Sequence, residues 1–173
     1  MMIRLVQPEL WLEDKFIEML NDYNANQEDL IRRRYSRVNF DFQRYVDYLK
    51  ERAKGINLQP GHVASSEWWL LNENNDILGT VRLRYELNEA NYEVGGHIGY
   101  DISPKYRRRG YGKLISKLIL ENAKDLGLKK VLITCDFDNI GSKKIIENNG
   151  GKLENTIISK DSGKEVLRYW IEL

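Results

Sequence analysis

Arg107-Arg108-Arg109-Gly110-Tyr111-Gly112 is the stretch on which the reading of this chain turns. Three arginines run into two glycines, and an apolar pattern follows at once. Tyr111, Leu114, Ile115, Leu118, Ile119 and Leu126 recur at helical spacing. A helix that begins here presents free backbone N–H groups and the positive end of its dipole. Gly110 and Gly112 take side chains out of that first turn, so a ligand can approach the amides. Such a cradle suits a phosphate or pyrophosphate. Arg107, Arg108, Arg109 and Lys113 add positive charge, and the arginine fork matches phosphate oxygens. Two other phosphate motifs are excluded. The dinucleotide fingerprint needs a third glycine where Ile115 stands, and a P-loop needs a glycine at Arg107 and a hydroxyl residue at Leu114. The plainer alternative is a solvated charge run ahead of a glycine-rich helix start.

Outward from this turn the chain alternates between strand and helix patterns. Downstream, Lys130 to Cys135 reads as a strand with an apolar centre, as in strands buried on both faces. A short helix from Asn139 to Glu147 follows, stopped at Asn149-Gly150-Gly151, and then two strands near Lys152–Ile158 and Val166–Ile171. Upstream, Trp68–Leu71 and Ile77–Leu87 read as a hairpin, and Asn88 to Asn91 as a turn. Val94–Ile102 reads as a strand bent at Gly95-Gly96 or Gly99. Ile3–Val6 is a further short strand. Pro8 opens a helix with Leu10, Phe16, Ile17 and Leu20 near one face. A second helix begins near Asn39 or Asp41, carries Phe42, Tyr45, Val46 and Leu49, and stops at Gly55. The order predicts one α/β domain over residues 1–173, a mixed sheet with helices packed on it.

Composition narrows the function. The chain has 27 basic and 26 acidic residues, a net charge of +1. That balance argues against a nucleic-acid binder, despite the runs Arg32-Arg33-Arg34 and Arg107-Arg108-Arg109. A single cysteine, Cys135, excludes an internal disulfide and fits a reducing compartment. No apolar run approaches the roughly 20 residues that span a bilayer, and the first residues are too soon interrupted for a signal peptide. A cytoplasmic protein without a membrane association is expected. His62, His97 and Cys135 lack ligand spacing, so no metal is expected.

The turn and its surroundings resemble the GNAT superfamily of N-acetyltransferases. That family carries Gln/Arg-x-x-Gly-x-Gly/Ala between a central strand and its following helix, and Arg107-x-x-Gly110-x-Gly112 matches it. Asn139-x-x-Ser142 is similar to the family's next landmark. The match is strong from Ile98 to Gly151, whereas the first sixty residues match by order of elements alone. The resemblance implies a mixed, mostly antiparallel seven-stranded sheet with a splayed centre and about four helices. It implies that the amides of the turn bind the pyrophosphate of coenzyme A. The pantetheine arm would lie between the strands at Tyr100–Ser103 and Val131–Cys135, like an added strand. Backbone of Ile102 and Ser103, with Asn139 and Ser142, would hold that arm. An N–H near Tyr100 to Ile102 would polarise the thioester carbonyl. The implied reaction is direct transfer of an acetyl group from acetyl-coenzyme A, as cosubstrate, to an amine-bearing acceptor. Exposed edge strands near the C-terminus could pair two subunits.

The chain departs from this family where protons move. The tyrosine that many members place seven residues after the motif asparagine, as acid for the thiolate, is here Ile146. The acidic base that some carry on the central strand falls near Gly96. His97 has the intrinsic pKa for acid–base work, and a histidine bonded within the sheet is the competing account. Asp136, with Asp138, follows the strand end, where turn formation and helix capping compete. Glu86 could face the cleft, and Trp68 or Trp69 could line it. Cys135, in an apolar run, reads as buried and inert rather than nucleophilic. A module that binds coenzyme A without catalysing is the alternative to an enzyme. Gly112→Trp is expected to abolish coenzyme A binding in a calorimetric titration while the circular dichroism spectrum stays native; unchanged affinity would refute the cradle.

Overall fold

The computed structural model describes residues 3–28, 35 and 41–173; the Arg32-Arg33-Arg34 run and Asn39 lie outside them. Strand β1 (Arg4–Val6) leads through a 3-10 turn at Leu10–Leu12 into helix α1 (Glu13–Ala25). Helix α2 (Phe42–Ala53) starts where the Asp41 side chain accepts a hydrogen bond from Arg44 N, an N-cap that satisfies a first-turn amide. The hairpin β2 (Ser65–Leu71) and β3 (Ile77–Arg84) follows, then α3 (Glu89–Glu93) and β4 (Ile98–Ile102). Helix α4 (Tyr111–Asp125), β5 (Lys130–Asp136), α5 (Ile140–Asn148), β6 (Lys152–Ile158) and β7 (Glu165–Glu172) complete the order.

The expected helix count of about four becomes five α-helices among the described residues. The addition is α3, whose start is capped by Asn88 accepting from Asn91 N, where the sequence reads as a simple turn. The expected strand over Val94–Ile102 shortens to Ile98–Ile102, because Gly95 and Gly96 take positive φ values of 108° and 58° and break the extended chain. The expected face of the first helix also rotates. Leu12, Phe16, Met19 and Tyr23 are the buried residues, while Leu10 and Ile17 are 45% and 46% exposed. The 3-10 turn at Leu10–Leu12 delays the α-helix to Glu13, and the inward positions follow from that phase.

The single seven-stranded sheet implied by the resemblance is two hydrogen-bonded sheets. Four strands run in the order β1-β2-β3-β4 and three in the order β5-β7-β6, with every neighbouring pair antiparallel. Strands β4 and β5 lie side by side at the junction. Three hydrogen bonds join the sheets just before β4 begins. His97 N donates to Leu132 O at 2.7 Å, Leu132 N donates to His97 Nδ1 at 2.9 Å, and Gly95 N donates to Thr134 Oγ1 at 3.0 Å. Beyond them β4 and β5 part. This is the splay that the resemblance implies, carried far enough to divide the ladder.

Two apolar cores cover the faces. One joins α4 and α5 to β3, β4, β5 and β7 through Leu83, Ile98, Ile115, Ile119, Ile133 and Tyr169. The other packs α1 and α2 against β2 through Phe16, Phe42, Val46, Trp69 and Leu71, with the Phe16 ring stacked on Trp69 at 5.0 Å. Alternation along β2 divides Leu70 from Trp69 and Leu71 between them. Glu67 is buried beside the second core. Burial alone would raise its carboxyl, but the Arg82 and Arg52 guanidinia, at 3.3 and 3.4 Å, hold it below the usual range, together with the Trp69 indole N–H.

The junction tolerates no side chain at Gly96. A Cβ there would stand 2.4 Å from Leu132 O, a backbone atom that cannot move without shifting β5. Gly96→Ala should lower unfolding stability by about 2–3 kcal/mol, combining a left-handed non-glycine residue with a backbone clash. Urea denaturation measures it, and a change below about 0.5 kcal/mol would show that the two sheets are not pressed together there.

Candidate functional site

Gly110, with φ of 84°, is the N-cap of α4, and no side chain caps the helix. Leu114 N makes the first intrahelical bond, to Gly110 O at 3.2 Å, which leaves the amides of Tyr111, Gly112 and Lys113 open. No acidic side chain stands in the first turn. Arg108 also has a left-handed φ, 61°, so the backbone curls on both sides of Arg109. Arg108, Arg109 and Lys113 are exposed around the open amides. Gly112 has a packing reason as well: a Cβ there would stand 2.6 Å from Ile145 Cδ1, the flexible end of a side chain on α5.

Arg107 does something else. Its Nε donates to Ile102 O at 2.8 Å, and its two terminal nitrogens pair with both carboxylate oxygens of Glu28 at 2.5 and 2.8 Å. The guanidinium expected at a phosphate is therefore a strap between β4 and the chain after α1. Asp22, on the last turns of α1, accepts from Ser103 Oγ at 2.5 Å and from Lys105 N at 3.0 Å. Two carboxylates from one end of α1 thus hold residues 103–107, the segment that delivers the chain to the cradle. Glu28 and Asp22 were not legible as partners, because their contacts lie about 80 residues away in sequence.

Strand β4 turns one edge to the split. Arg84 N bonds His97 O and Ser103 N bonds Leu78 O, at 2.8 and 3.0 Å. Between these, the alternation of an antiparallel ladder points the backbone groups of Gly99 and Asp101 at β3, and those of Tyr100 and Ile102 away from it. The N–H groups of Tyr100 and Ile102 therefore face the opening beside β5. Of the backbone groups expected to hold a pantetheine arm, Ser103 N is committed to Leu78 and Ile102 O to Arg107.

The chain from residue 10 to residue 152 matches the acetyltransferase (GNAT) domain. It belongs to that family. The curated relative YnaD, an uncharacterized N-acetyltransferase of Bacillus subtilis (strain 168), is 27% identical over 109 residues, which span 62% of each chain. Solved structures agree in fold across nearly the whole length. The ribosomal L7/L12 α-N-protein acetyltransferase RimL in complex with coenzyme A superposes with a TM-score of 0.73 at 14% identity, covering 99% of this chain and 94% of that one. The microcin C7 self-immunity acetyltransferase MccE, in complex with acetyl-CoA and AMP, gives 0.68 at 15% identity, covering 99% and 92%. A spermidine N-acetyltransferase SpeG chimera from Vibrio cholerae and hSSAT gives 0.66 at 15%, covering 98% and 94%.

The remaining GNAT landmarks divide into those near the cradle and those elsewhere. Asn139 is the N-cap of α5: its Oδ1 accepts from Ser142 N at 3.0 Å, leaving its amide nitrogen for other partners. Ser142, on the first turn of α5, lies beside the Tyr100 hydroxyl. Asp136 ends β5 half-exposed, with Lys164 Nζ at 3.5 Å. Glu86 is exposed at the end of the β3 hairpin arm. Trp69 is core, and Trp68 packs partly buried against the other core. Cys135 is buried and burial pushes its thiol up to about 11, as expected of an inert cysteine. Three orphaned or occupied groups carry no sequence signal: Tyr23 Oη and Tyr100 Oη are buried without hydrogen-bond partners, and the Arg107 fork is engaged.

His97 is bonded within the sheet. Its Nδ1 accepts from Leu132 N, which requires that nitrogen to be unprotonated, and the ring is 6.1 Å from Trp170. Burial, and then the nearby Arg84 charge, lower its pKa. The unfolded chain thus binds more protons than the folded one as pH falls through the ordinary histidine value near 6.5. The contribution of His97 is full above that value and is lost progressively below it. Between pH 7.5 and pH 5.5, wild-type stability in urea should fall, and His97→Ala should be less stable at pH 7.5 with a flatter pH dependence. Parallel pH profiles would show that His97 is not the titrating junction.

Proposed function

We propose that this chain transfers an acetyl group from acetyl-coenzyme A directly to an amine of its acceptor. The observation that carries this is the first turn of α4, uncapped, free of acidic side chains and flanked by Arg108, Arg109 and Lys113, opening beside the split between β4 and β5. A dianionic pyrophosphate fits open amides at a helix start, and an extended amide-bearing arm fits the free backbone of Tyr100 and Ile102. Asn139, through its free amide nitrogen, and Ser142 border that arm. Arg107 supports the cradle through Ile102 and Glu28 rather than by touching phosphate.

The acceptor nitrogen must be neutral to attack. A lysine-like amine with a pKa near 10.4 is neutral in roughly one molecule per thousand at pH 7, so a base helps. Of the two residues expected to move protons, Asp136 at the C-terminal end of β5 remains free enough to serve, whereas protonating His97 Nδ1 would break its bond to Leu132. The N–H groups of Tyr100 and Ile102 are the donors that polarise the thioester carbonyl. Structural neighbours named for a ribosomal protein N-terminus and for spermidine support a primary amine as the acceptor class. Among the described residues no helix is long and apolar enough to cross a membrane. Strand β6, the outer strand of its sheet and exposed along most of its length, offers an edge for pairing two copies.

The second reading is a module that binds coenzyme A without turning it over, favoured by Ile146 at the position of the family's tyrosine. Calorimetric titration with acetyl-coenzyme A, followed by free-thiol release with a panel of alkylamines, polyamines, lysine and peptide N-termini, separates the two. Binding with amine-dependent thiol release is expected. Binding with no release on any amine would leave the non-catalytic module, and no binding would overturn both.

A further inference from the structure

Ile146 removes the tyrosine that the GNAT resemblance assigns to the thiolate, and the residue is fully buried in the core that α5 shares with α4. Another tyrosine, Tyr100 on β4, packs against the same core. Strands β4 and β5 are linked by the crossover helix α4 and run in one direction away from the His97–Leu132 bonds. Tyr100, three residues beyond His97, therefore stands level with Cys135, three beyond Leu132. Both side chains belong to the core on the α4–α5 face. The Tyr100 hydroxyl is buried and meets no partner in full hydrogen-bonding geometry; the Ser142 side chain stands close enough to influence it but is not aligned to satisfy it. Leaving such a group unpaired is unfavourable, and native folds leave few of them. The donor stands beside the split that would receive an extended thioester arm on the acetyl-transfer reading, on the α4–α5 face that carries Ile146.

We propose that Tyr100 donates a hydrogen bond to the sulfur of coenzyme A as it leaves, taking the place of the tyrosine absent at position 146. This rests on the acetyl-transfer reading. In the step, the acceptor's N–C bond forms, the C–S bond breaks and its electron pair goes to sulfur. The nitrogen loses a proton to the base or solvent, and the thiolate regains one from solvent. Burial pushes the Tyr100 hydroxyl up to about 12, so it is protonated at neutral pH and acts as a donor. An ordinary thiol titrates near 8.5, so full proton transfer from this hydroxyl is uphill, and what it supplies is a hydrogen bond to developing negative charge.

The test uses the intact chain with coenzyme A alone, and then with an amine that turns over. The bound thiol is titrated by thiolate ultraviolet absorbance, against the free protein, in wild type and Tyr100→Phe. The wild-type complex should titrate about one pH unit below the Tyr100→Phe complex, a tenfold difference in ionisation constant. In Tyr100→Phe, kcat should fall by up to about tenfold, the same factor as the thiol shift, with KM for acetyl-coenzyme A changed less than about threefold. Because the hydroxyl has no well-aligned partner in the free protein, Tyr100→Phe should unfold at nearly the urea concentration of wild type, whereas loss of a structural hydroxyl would lower it clearly. Equal thiol titration and equal kcat in the two chains, with coenzyme bound equally well, would overturn the role of Tyr100 and leave acetyl transfer standing. Failure of the wild-type chain to bind coenzyme A would overturn both.

Discussion

His97 joins the two sheets through its backbone N–H and its ring at once, and that double attachment to Leu132 sets where β4 and β5 part. A continuous ladder would pair every backbone group of β4 on both edges. The glycines at 95 and 96 bring the chain against β5 with positive φ values, and Gly96 permits an approach that any Cβ would block. Past that point β5 is paired with β7 on its other edge, β4 with β3, and the facing edges diverge. The open amides of β4 are therefore a consequence of local crowding at one end. The same geometry explains why His97 is a poor choice for proton transfer: charging Nδ1 would break one of the bonds that hold the split in shape.

The glycine turn and the helix it opens were legible because their signals are local. Glycine spacing, adjacent arginines and a helical apolar period all fall within about twenty residues, and the α4 and β5 boundaries follow from them. The role of Arg107 was not legible, since its partner Glu28 lies across the molecule and a charge run on paper looks uniform. The inward face of α1 was misplaced because a 3-10 turn shifts the phase before the α-helix begins, and periodicity alone does not reveal where the phase starts. The short helix α3 was missed for a related reason. Five residues are too few for a period, so only its Asn88 cap marks it. The surroundings of Tyr100 carry no sequence signal, because strand alternation says which face a side chain takes but not that its hydroxyl meets no aligned partner there.

Charge at the site is sorted by partner: all four basic side chains are exposed, but Arg107 is held by Glu28 and Ile102. Arg108, Arg109 and Lys113 stay exposed near the helix start, where the dipole and their charges act on an anion in the same direction. Arg107, the first of the same run, is paired with Glu28 and Ile102. One basic cluster thus provides both an attractive field and the strap that positions it. Asp22 and Glu28 meet the loop at 103–107 rather than the first turn of α4, so the acidic residues that fix the loop do not stand among the amides that an anion would use.

The loss of the usual tyrosine weighs less than it first suggests once the two proton problems are compared. An amine near pKa 10.4 lies about 3.4 units above neutrality, so supplying its free base accounts for most of the proton cost of acetyl transfer at pH 7. A thiol near 8.5 lies only about 1.5 units above, so a thiolate is already a tolerable leaving group and needs stabilising by a hydrogen bond more than outright protonation. Ile146 therefore removes help from the easier half of the problem. A buried, protonated hydroxyl such as Tyr100 is suited to that half and unsuited to the other, because a group pushed up to about 12 gives hydrogen bonds and does not take protons at neutral pH. On the proposed reading the harder half would fall to a carboxylate outside the pinned junction, a condition that Asp136, half-exposed at the end of β5, meets and His97 does not.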